Sequence, residues 1–572
     1  MRRFAALCLL CFCASAASAL DREAFTVTKY DLELRLEPEQ QRLGARGKII
    51  LRNDSSQPQR VVALQLSSSL NWRSIRVAGE AVQYVSQPYS SDIDHTGALS
   101  EAVVTLPSAI KPKDSVELQI GYEGVIAADA TRLTRIGVPE AIAKHTSWDQ
   151  ISPSFTAVRG AGHVAWYPIT TESADFSEGN SLFEVTDRWK ARAAKSEFKL
   201  ILNVEGDRSE EHLNLLCGTQ VPELTGVPVT EPPGTSSARA ECEWKPLGAV
   251  TPMFAVAAYV DLSKSPLKLF SLPGHEQGAG KYANALEPAT AFVSSWFGSP
   301  KSSVTIADFA DPHAAPFESG TMLLASMAGE DSKLAGINLV HELVHASLPS
   351  AKPWVYEGLA HFAEAMYRQE QGGRQAALDM LGLHRAAFLD AEKEFVSASA
   401  PAEKGQPLIS TFDEAYYRSK AAYVWWMLRD LVGAEALKTV IAKYRAGDDT
   451  EPKYVEKLVS TGSKRDLAWF FDDWVYHDRG LPDFKVQSAH PWTTEKGVHF
   501  VTVTLENSGK AGAEVPFTVS YDGGEISTRL EVRANSTATT RVEVPGTPTR
   551  ISVNDGSVPE SDLSNNVSTI GP

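Results

Sequence analysis

The sequence predicts a multidomain chain in which an N-terminal antiparallel β-sandwich precedes a mostly helical α+β domain and a C-terminal β-sandwich. Three observations predict it. At 572 residues the chain is too long for one hydrophobic core. Apolar residues alternate with a period near two from about residue 26 to about 262, then with a period near 3.6 from about 282 to about 478, then with a period near two again. The stretches "SKSPLK" and "GLPDF", with the turn chemistry of domain boundaries, sit where the period changes.

The first segment, "MRRFAALCLLCFCASAASA", gives two arginines, an apolar run and then Ala17-Ser18-Ala19, so residues 1–19 are expected to be a signal peptide. A lipid anchor would need a small residue before a cysteine of that run, whereas Cys8, Cys11 and Cys13 follow Leu7, Leu10 and Phe12. The protein is therefore expected to be exported, either periplasmic or secreted. Residues 20–265 form the predicted N-terminal β domain, with strands at "YDLELRLEP", "GKIILRN", "AVVTLP", "SVELQIGYEG", "EFKLILNVEG" and "PMFAVAAYVDL". Cys217 and Cys242 remain after the signal, an even pair expected to form a disulfide in an oxidising compartment and to pin the Pro- and Gly-rich segment between them as a loop.

Residues 266–484 are the predicted helical domain, with helical stretches at "LAGINLVHELVHASL", "YEGLAHFAEAMYRQEQ", "QAALDMLGLHRAAFLDAEKEF" and "KAAYVWWMLRDLVGAEAL" and a small β portion near "SVTIADFAD". Residues 485–572 return to strands, "VHFVTVTLENSG", "VPFTVSYDG", "STRLEVRANST" and "TTRVEVPG", a length and pattern that predict an immunoglobulin-like sandwich. Composition narrows the function. A net charge of −16 offers no basic stripe to replace phosphate counterions, which excludes a nucleic-acid partner. Beyond the signal there is no apolar run of about 18 residues, so no integral membrane segment is expected.

The chemistry concentrates between Asn338 and Gln369, in "NLVHELVHASLPSAKPWVYEGLAHFAEAMYRQ". On a helix, His341 and His345 stand one turn apart on one face, so both imidazoles can reach a single tetrahedral ion. Glu342 is displaced from them, placed to take a proton from water instead of ligating, which is the pattern of metal-assisted hydrolysis. No third histidine follows six residues on, which rules out the H-E-x-x-H-x-x-G-x-x-H arrangement, so the third ligand is sought further along, where His361 is in principle able to ligate beside two glutamates. Glu357 and Glu364 are both available on one helix face, and geometry alone leaves the choice open. His361, one turn after Glu357, is read as a residue packed or hydrogen-bonded beside the site.

"HELVH" followed by "WVYEGLAHF" resembles the gluzincin zinc aminopeptidases of the alanyl aminopeptidase family. That family spaces H-E-x-x-H eighteen residues before the glutamate of W-x-x-E-G-x-A. Here Glu364 satisfies the count of eighteen, whereas Glu357 satisfies the local motif after a gap of eleven. The resemblance favours Glu357 as the third ligand, since a connecting loop shortens more easily than a packed helix loses its register, and leaves Glu364 behind it as a supporting carboxylate or the alternative ligand. One zinc ion per chain is implied, on a thermolysin-like catalytic domain. "APFES" resembles the family's G-x-M-E-N element, which implies that Glu318 binds a substrate's α-amino group, although Ala315, Phe317 and Ser319 replace its Gly, Met and Asn. "YYRSK" resembles the family's Y-x-K-G helix, whose tyrosine donates to the oxyanion. Arg418 stands two residues before Lys420 where that tyrosine belongs, so Tyr417 is the first choice for the role and Tyr416 the second. The likeness stops near residue 485, because the family's large helical C-terminal domain is absent. It implies an aminopeptidase acting on peptides or proteins. Two alternatives stand beside it: a zinc endopeptidase or modified-peptide-specific enzyme, and an inactive protein that binds peptides or a surface.

Overall fold

The computed structural model describes residues 20–178, 181–206, 213–222, 225–228, 236–248, 250–329, 331–397, 407–411 and 413–570. The expected signal peptide, residues 1–19, lies outside them. Within them the protein is a mixed α and β structure of several sheets.

An eight-stranded sheet dominates the N-terminal region. Its centre pairs Phe25–Glu37 with Arg42–Asn53, and Arg42–Asn53 with Ser115–Val125, all antiparallel. Alternation places Leu32, Leu34 and Leu36 at 0% exposure on one face, opposite a three-stranded sheet of Gln59–Ser67, Ala98–Ile110 and Tyr84–Ser90, and the two sheets share one core. One pairing departs from the antiparallel expectation. Phe25–Glu37 runs parallel to Glu197–Gly206, because the chain between them makes a long crossover that delivers the second strand in the same direction.

Cys217 and Cys242 are joined by a disulfide. The segment they enclose is not wholly loop, since Thr225–Pro228 pairs with Ser236–Trp244 at the sheet edge. The segment reads as a loop in sequence because Pro and Gly are frequent in it.

The central region pairs helices with a five-stranded sheet in which Leu267–Ser271, Val304–Ala307 and Met322–Leu324 are parallel and Phe317–Ser319 closes the edge antiparallel. Helix Ser332–Ser347 begins at an N-cap, Asp331, whose side chain accepts from Lys333 N at 2.6 Å. It is buried over its last nine residues, Leu339 to Ser347, so its polar side chains are held in the interior. A short turn follows, and Pro353 opens the next helix at a position where its missing N–H costs nothing.

That helix, Pro353–Ser397, breaks at Gly373, whose φ of 76° lies in the left-handed region. In a straight helix His361 and His384 would stand about 35 Å apart. Their ring centroids are 4.6 Å apart, so the break turns the second arm back along the first. Next comes a π-helical turn, Ala415–Lys420, continuing into Ala421–Val432. This last helix packs closely on the start of the long helix: Trp425 stacks on Trp354 at 5.2 Å and donates to its carbonyl at 3.2 Å.

The C-terminal strands form a three-stranded and a four-stranded sheet. Their apolar residues, from Phe484 to Val558, are continuous with the core of the helices. Trp474 donates to Gly512 O at 2.8 Å, and Arg529 pairs with Asp430 at 2.9 Å across the same junction. Among the described residues no helix is long and apolar enough to cross a membrane.

Gly358 permits the close helix approach that carries the site, because a Cβ there would lie 2.6 Å from Ala421 Cβ and 3.0 Å from Trp425 Cδ1. Gly358→Ala is expected to lower stability by roughly 1–3 kcal/mol through overpacking. A thermal or denaturant melt checks it, and an unchanged midpoint would show that the two helices are free to separate.

Candidate metal centre

The site is built on three elements that the fold brings together: helix Ser332–Ser347, the first arm of Pro353–Ser397, and the edge strand Phe317–Ser319. His341 and His345 face each other one helical turn apart, their Nε2 atoms 3.0 Å from one another. His341 Nδ1 donates to Glu364 Oε1 at 2.7 Å, which in the neutral imidazole assigns the lone pair to Nε2. The second oxygen of Glu364 accepts from His361 Nδ1 at 3.1 Å. Tyr356 stacks on the His345 ring at 3.7 Å and 11°, and its hydroxyl donates to Gly320 O at 3.0 Å, holding that imidazole against the turn beside Glu318.

Two carboxylates converge on the paired nitrogens. Glu318 lies 2.9 Å from His345 Nε2 and 3.3 Å from His341 Nε2. Glu357 lies 3.9 Å from each. Glu318, His341, His345 and Glu357 thus offer four ligand atoms within 4.8 Å of one another, and a second trio of His341, His361 and Glu364 shares His341. Glu342, 1% exposed, points one oxygen, Oε2, at no hydrogen-bond partner among the described residues, and His345 Nδ1 is likewise buried without one.

The electrostatics follow from this crowding. Burial, reinforced by Glu318 and Glu357 and opposed by His341 and Arg418, pushes the Glu342 carboxyl well above the usual range. Burial works against charge on His341 as well, but Glu318 and Glu364 overcome it and raise that imidazole well above its ordinary value. His345 is lowered, chiefly by burial. Glu364 is held well below the usual carboxylate range by His361 and His341 despite the burial that favours its neutral form.

Does a divalent metal fit? Two facing imidazole nitrogens, one with its tautomer fixed by a carboxylate, and two convergent carboxylates are a donor set of the zinc type. Nε2 atoms 3.0 Å apart share either a proton or a cation, and the Glu342 carboxyl, whose Oε2 is buried without a partner among the described residues, has His341, Glu318 and Glu357 as electrostatic neighbours.

The residues singled out from sequence do not all meet here. His341, Glu342, His345, Glu357, Glu364 and Glu318 do. Tyr416 lies instead among Glu392, Asp478 and Asp413, with its ring packed on Phe388. Tyr417 has Asp187, Arg418, Glu414 and Glu357 as its electrostatic neighbours. Sequence reasoning missed Tyr356, Arg418 and His384. Tyr356 was legible as the residue inside "WVYEG" beside Glu357, and Arg418 as the occupant of the expected tyrosine position. His384 had no signal, since only the reversal at Gly373 brings it near.

No protein-family model matches the chain, and no curated protein sequence does. Among solved structures, Legionella pneumophila aminopeptidase A in complex with aspartic acid is similar in fold, with a TM-score of 0.59 at 12% identity. The match covers 96% of this chain and 60% of that one, so this chain spans about three-fifths of that structure's length.

Replacing either carboxylate of the pair Glu357 and Glu364 separates their parts. Glu364→Ala is expected to weaken Zn²⁺ binding about 10–100-fold by freeing the His341 ring, with one metal still bound at saturation. Glu357→Ala is expected to prevent stoichiometric binding. Competition with a metallochromic chelator reads both, and the reverse ranking would give Glu364 the ligand position.

Proposed function

We propose that the protein is a zinc-dependent metallopeptidase, exported from the cytoplasm, that hydrolyses peptide bonds near a substrate's N-terminus. His341, His345 and Glu357 would hold the ion. Bound there, zinc would supply a Lewis acid and lower the pKa of water towards about 7. Glu342 takes the proton as water oxygen attacks the carbonyl carbon, then passes it to the amine nitrogen as the C–N bond breaks. Glu364 orients His341, and Tyr356 orients His345.

The observation that carries the reading is the facing pair of Nε2 atoms with Glu342 buried beside them, its free oxygen directed at no protein donor among the described residues. The motif resemblance and the fold likeness to an aminopeptidase support the same class. The disulfide supports an oxidising compartment.

Glu318 favours a second reading of where the cut falls. Its carboxylate is drawn onto both histidines and lies 3.8 Å from Arg418, so it is already neutralised by protein groups. A catalytic zinc keeps an open position, which four protein donors would close. Glu318, on a three-residue edge strand, is the donor best placed to leave. If it leaves to meet a substrate ammonium, the enzyme is an aminopeptidase. If it only swings aside, internal or N-acetylated peptides are equally good substrates.

Digestion of a mixed peptide library with mass-spectrometric readout tests both. Single residues lost from free N-termini are expected, and Glu318→Ala is expected to abolish the preference for a free amine over an acetylated one. Glu342→Gln is expected to lower kcat by at least about 10³-fold while binding zinc as the native protein does. Native turnover in that variant would end the mechanism.

A further inference from the structure

The π-helical turn Ala415–Lys420 fits one more residue into its turn than an α-helix would, and so re-aims the side chains that follow. Lys420 is turned inward, 2.9 Å from Asp478 and 3.6 Å from Glu392, where it ties this turn to the segment that closes the helical region. Arg418 is turned to the metal centre. Its Nε lies 3.2 Å from Glu357 Oε2, its Nη2 3.8 Å from Glu318 Oε2, and its Nη1 2.5 Å from Glu414 Oε1.

Arg418 also lines a cavity of about 450 Å³ together with His361, His384, Ser419, Asp413 and Glu414. Arg418 thus borders this cavity as well as the carboxylates Glu357 and Glu318. Arg418 Nε and Glu357 Oε2, although 3.2 Å apart, are both buried without a hydrogen bond to any described residue. Each faces the other with a valence unused.

We propose that Arg418 donates to the oxyanion formed from the substrate's carbonyl, in the place where the motif resemblance would put a tyrosine. The inference rests on the peptidase reading and deepens it. A guanidinium suits the task because it carries several donors in a fixed fork. Nη1 can stay on Glu414 while Nε and Nη2 meet the substrate oxygen. Held in advance by Glu414 and Glu357, the charge needs no reorganisation when the oxyanion appears, which is the condition for a large effect. Tyr416 is excluded by its position among Glu392, Asp478 and Asp413.

The test compares Arg418→Gln, Arg418→Lys and Tyr417→Phe in the zinc-loaded protein. Arg418→Gln is expected to lower kcat about 10²–10³-fold, with KM changed less than about threefold and zinc content unchanged. Calorimetry with a phosphinic peptide, whose tetrahedral anion mimics the oxyanion, is expected to show the same loss in affinity. An uncleaved amide competitor is expected to bind as before, Arg418→Lys to recover part of the loss, and Tyr417→Phe to stay within about threefold of native kcat. The proposal is overturned if Tyr417→Phe carries the loss. It is also overturned if Arg418→Gln raises only KM for peptides with acidic side chains, or sheds zinc, since Arg418 would then anchor substrate or merely hold Glu357. A native protein that cleaves no peptide sinks the peptidase reading, and the phosphinic-peptide comparison then decides Arg418 by itself.

Discussion

The site depends on one buried carboxylate. Glu364 accepts from His341 with one oxygen and from His361 with the other, joining the two helices that carry the chemistry. The bond to His341 decides which ring nitrogen bears the proton and so which one carries the lone pair. A charge-assisted hydrogen bond in a desolvated site is also stronger than its exposed counterpart, so the imidazole is held in orientation as well as in tautomer. Among the described residues nothing hydrogen-bonds His345 Nδ1, and Tyr356 supports its orientation by stacking.

Three departures from regular helix aim the remaining groups. Gly358 lets the helix bearing Glu357 and Glu364 sit against Ala421 and Trp425. The reversal at Gly373 returns the second arm so that His384 packs on His361, and burial there depresses His384 to about 4, so it remains neutral beside the site. The π turn then brings Arg418 onto Glu357. Each device costs local stability, and each is held by the core shared between the helices and the C-terminal sheets.

The residues of the candidate centre are legible as a cluster because their information is local. H-E-x-x-H on one helix, and E-x₆-E on the next, are fixed by the 3.6-residue period, and the tight packing of the motif's Gly, Trp and Ala argued for Glu357 over the residue at the family's spacing. Glu357 faces both Nε2 atoms, and Glu364 faces Nδ1 of His341. What stayed hidden was long-range or one residue out of register. The parallel pairing of Phe25–Glu37 with Glu197–Gly206 depends on a crossover that alternation does not encode. The π turn defeats a reading at the regular 3.6-residue period, since a single extra residue changes which side chain faces the site. The approach of Glu318 to both histidines follows from the sheet edge and not from its own motif, where three of the family's flanking residues are replaced.

Charge balance bears on what the centre is built to hold. Glu318, Glu342, Glu357 and Glu364 bring four carboxylates into one largely desolvated volume, with side chains no more than about a fifth exposed at Glu318, Glu357 and Glu364. Arg418 is a permanent cation facing Glu357 and Glu318, and it is shared with Glu414. Carboxylates so buried must be neutralised by protonation, by imidazolium or by a metal. Without a metal, the raised Glu342 and His341 favour the protonated forms of the two groups, whereas the proposed hydrolysis would need both free. A divalent cation balances the same charge while leaving Glu342 able to accept a proton. A network serving stability alone would do as well with Gln at Glu342 and with a buried apolar pair in place of the histidines, so an oxygen unpartnered among the described residues in the same cluster as two facing nitrogens is in keeping with a candidate metal site.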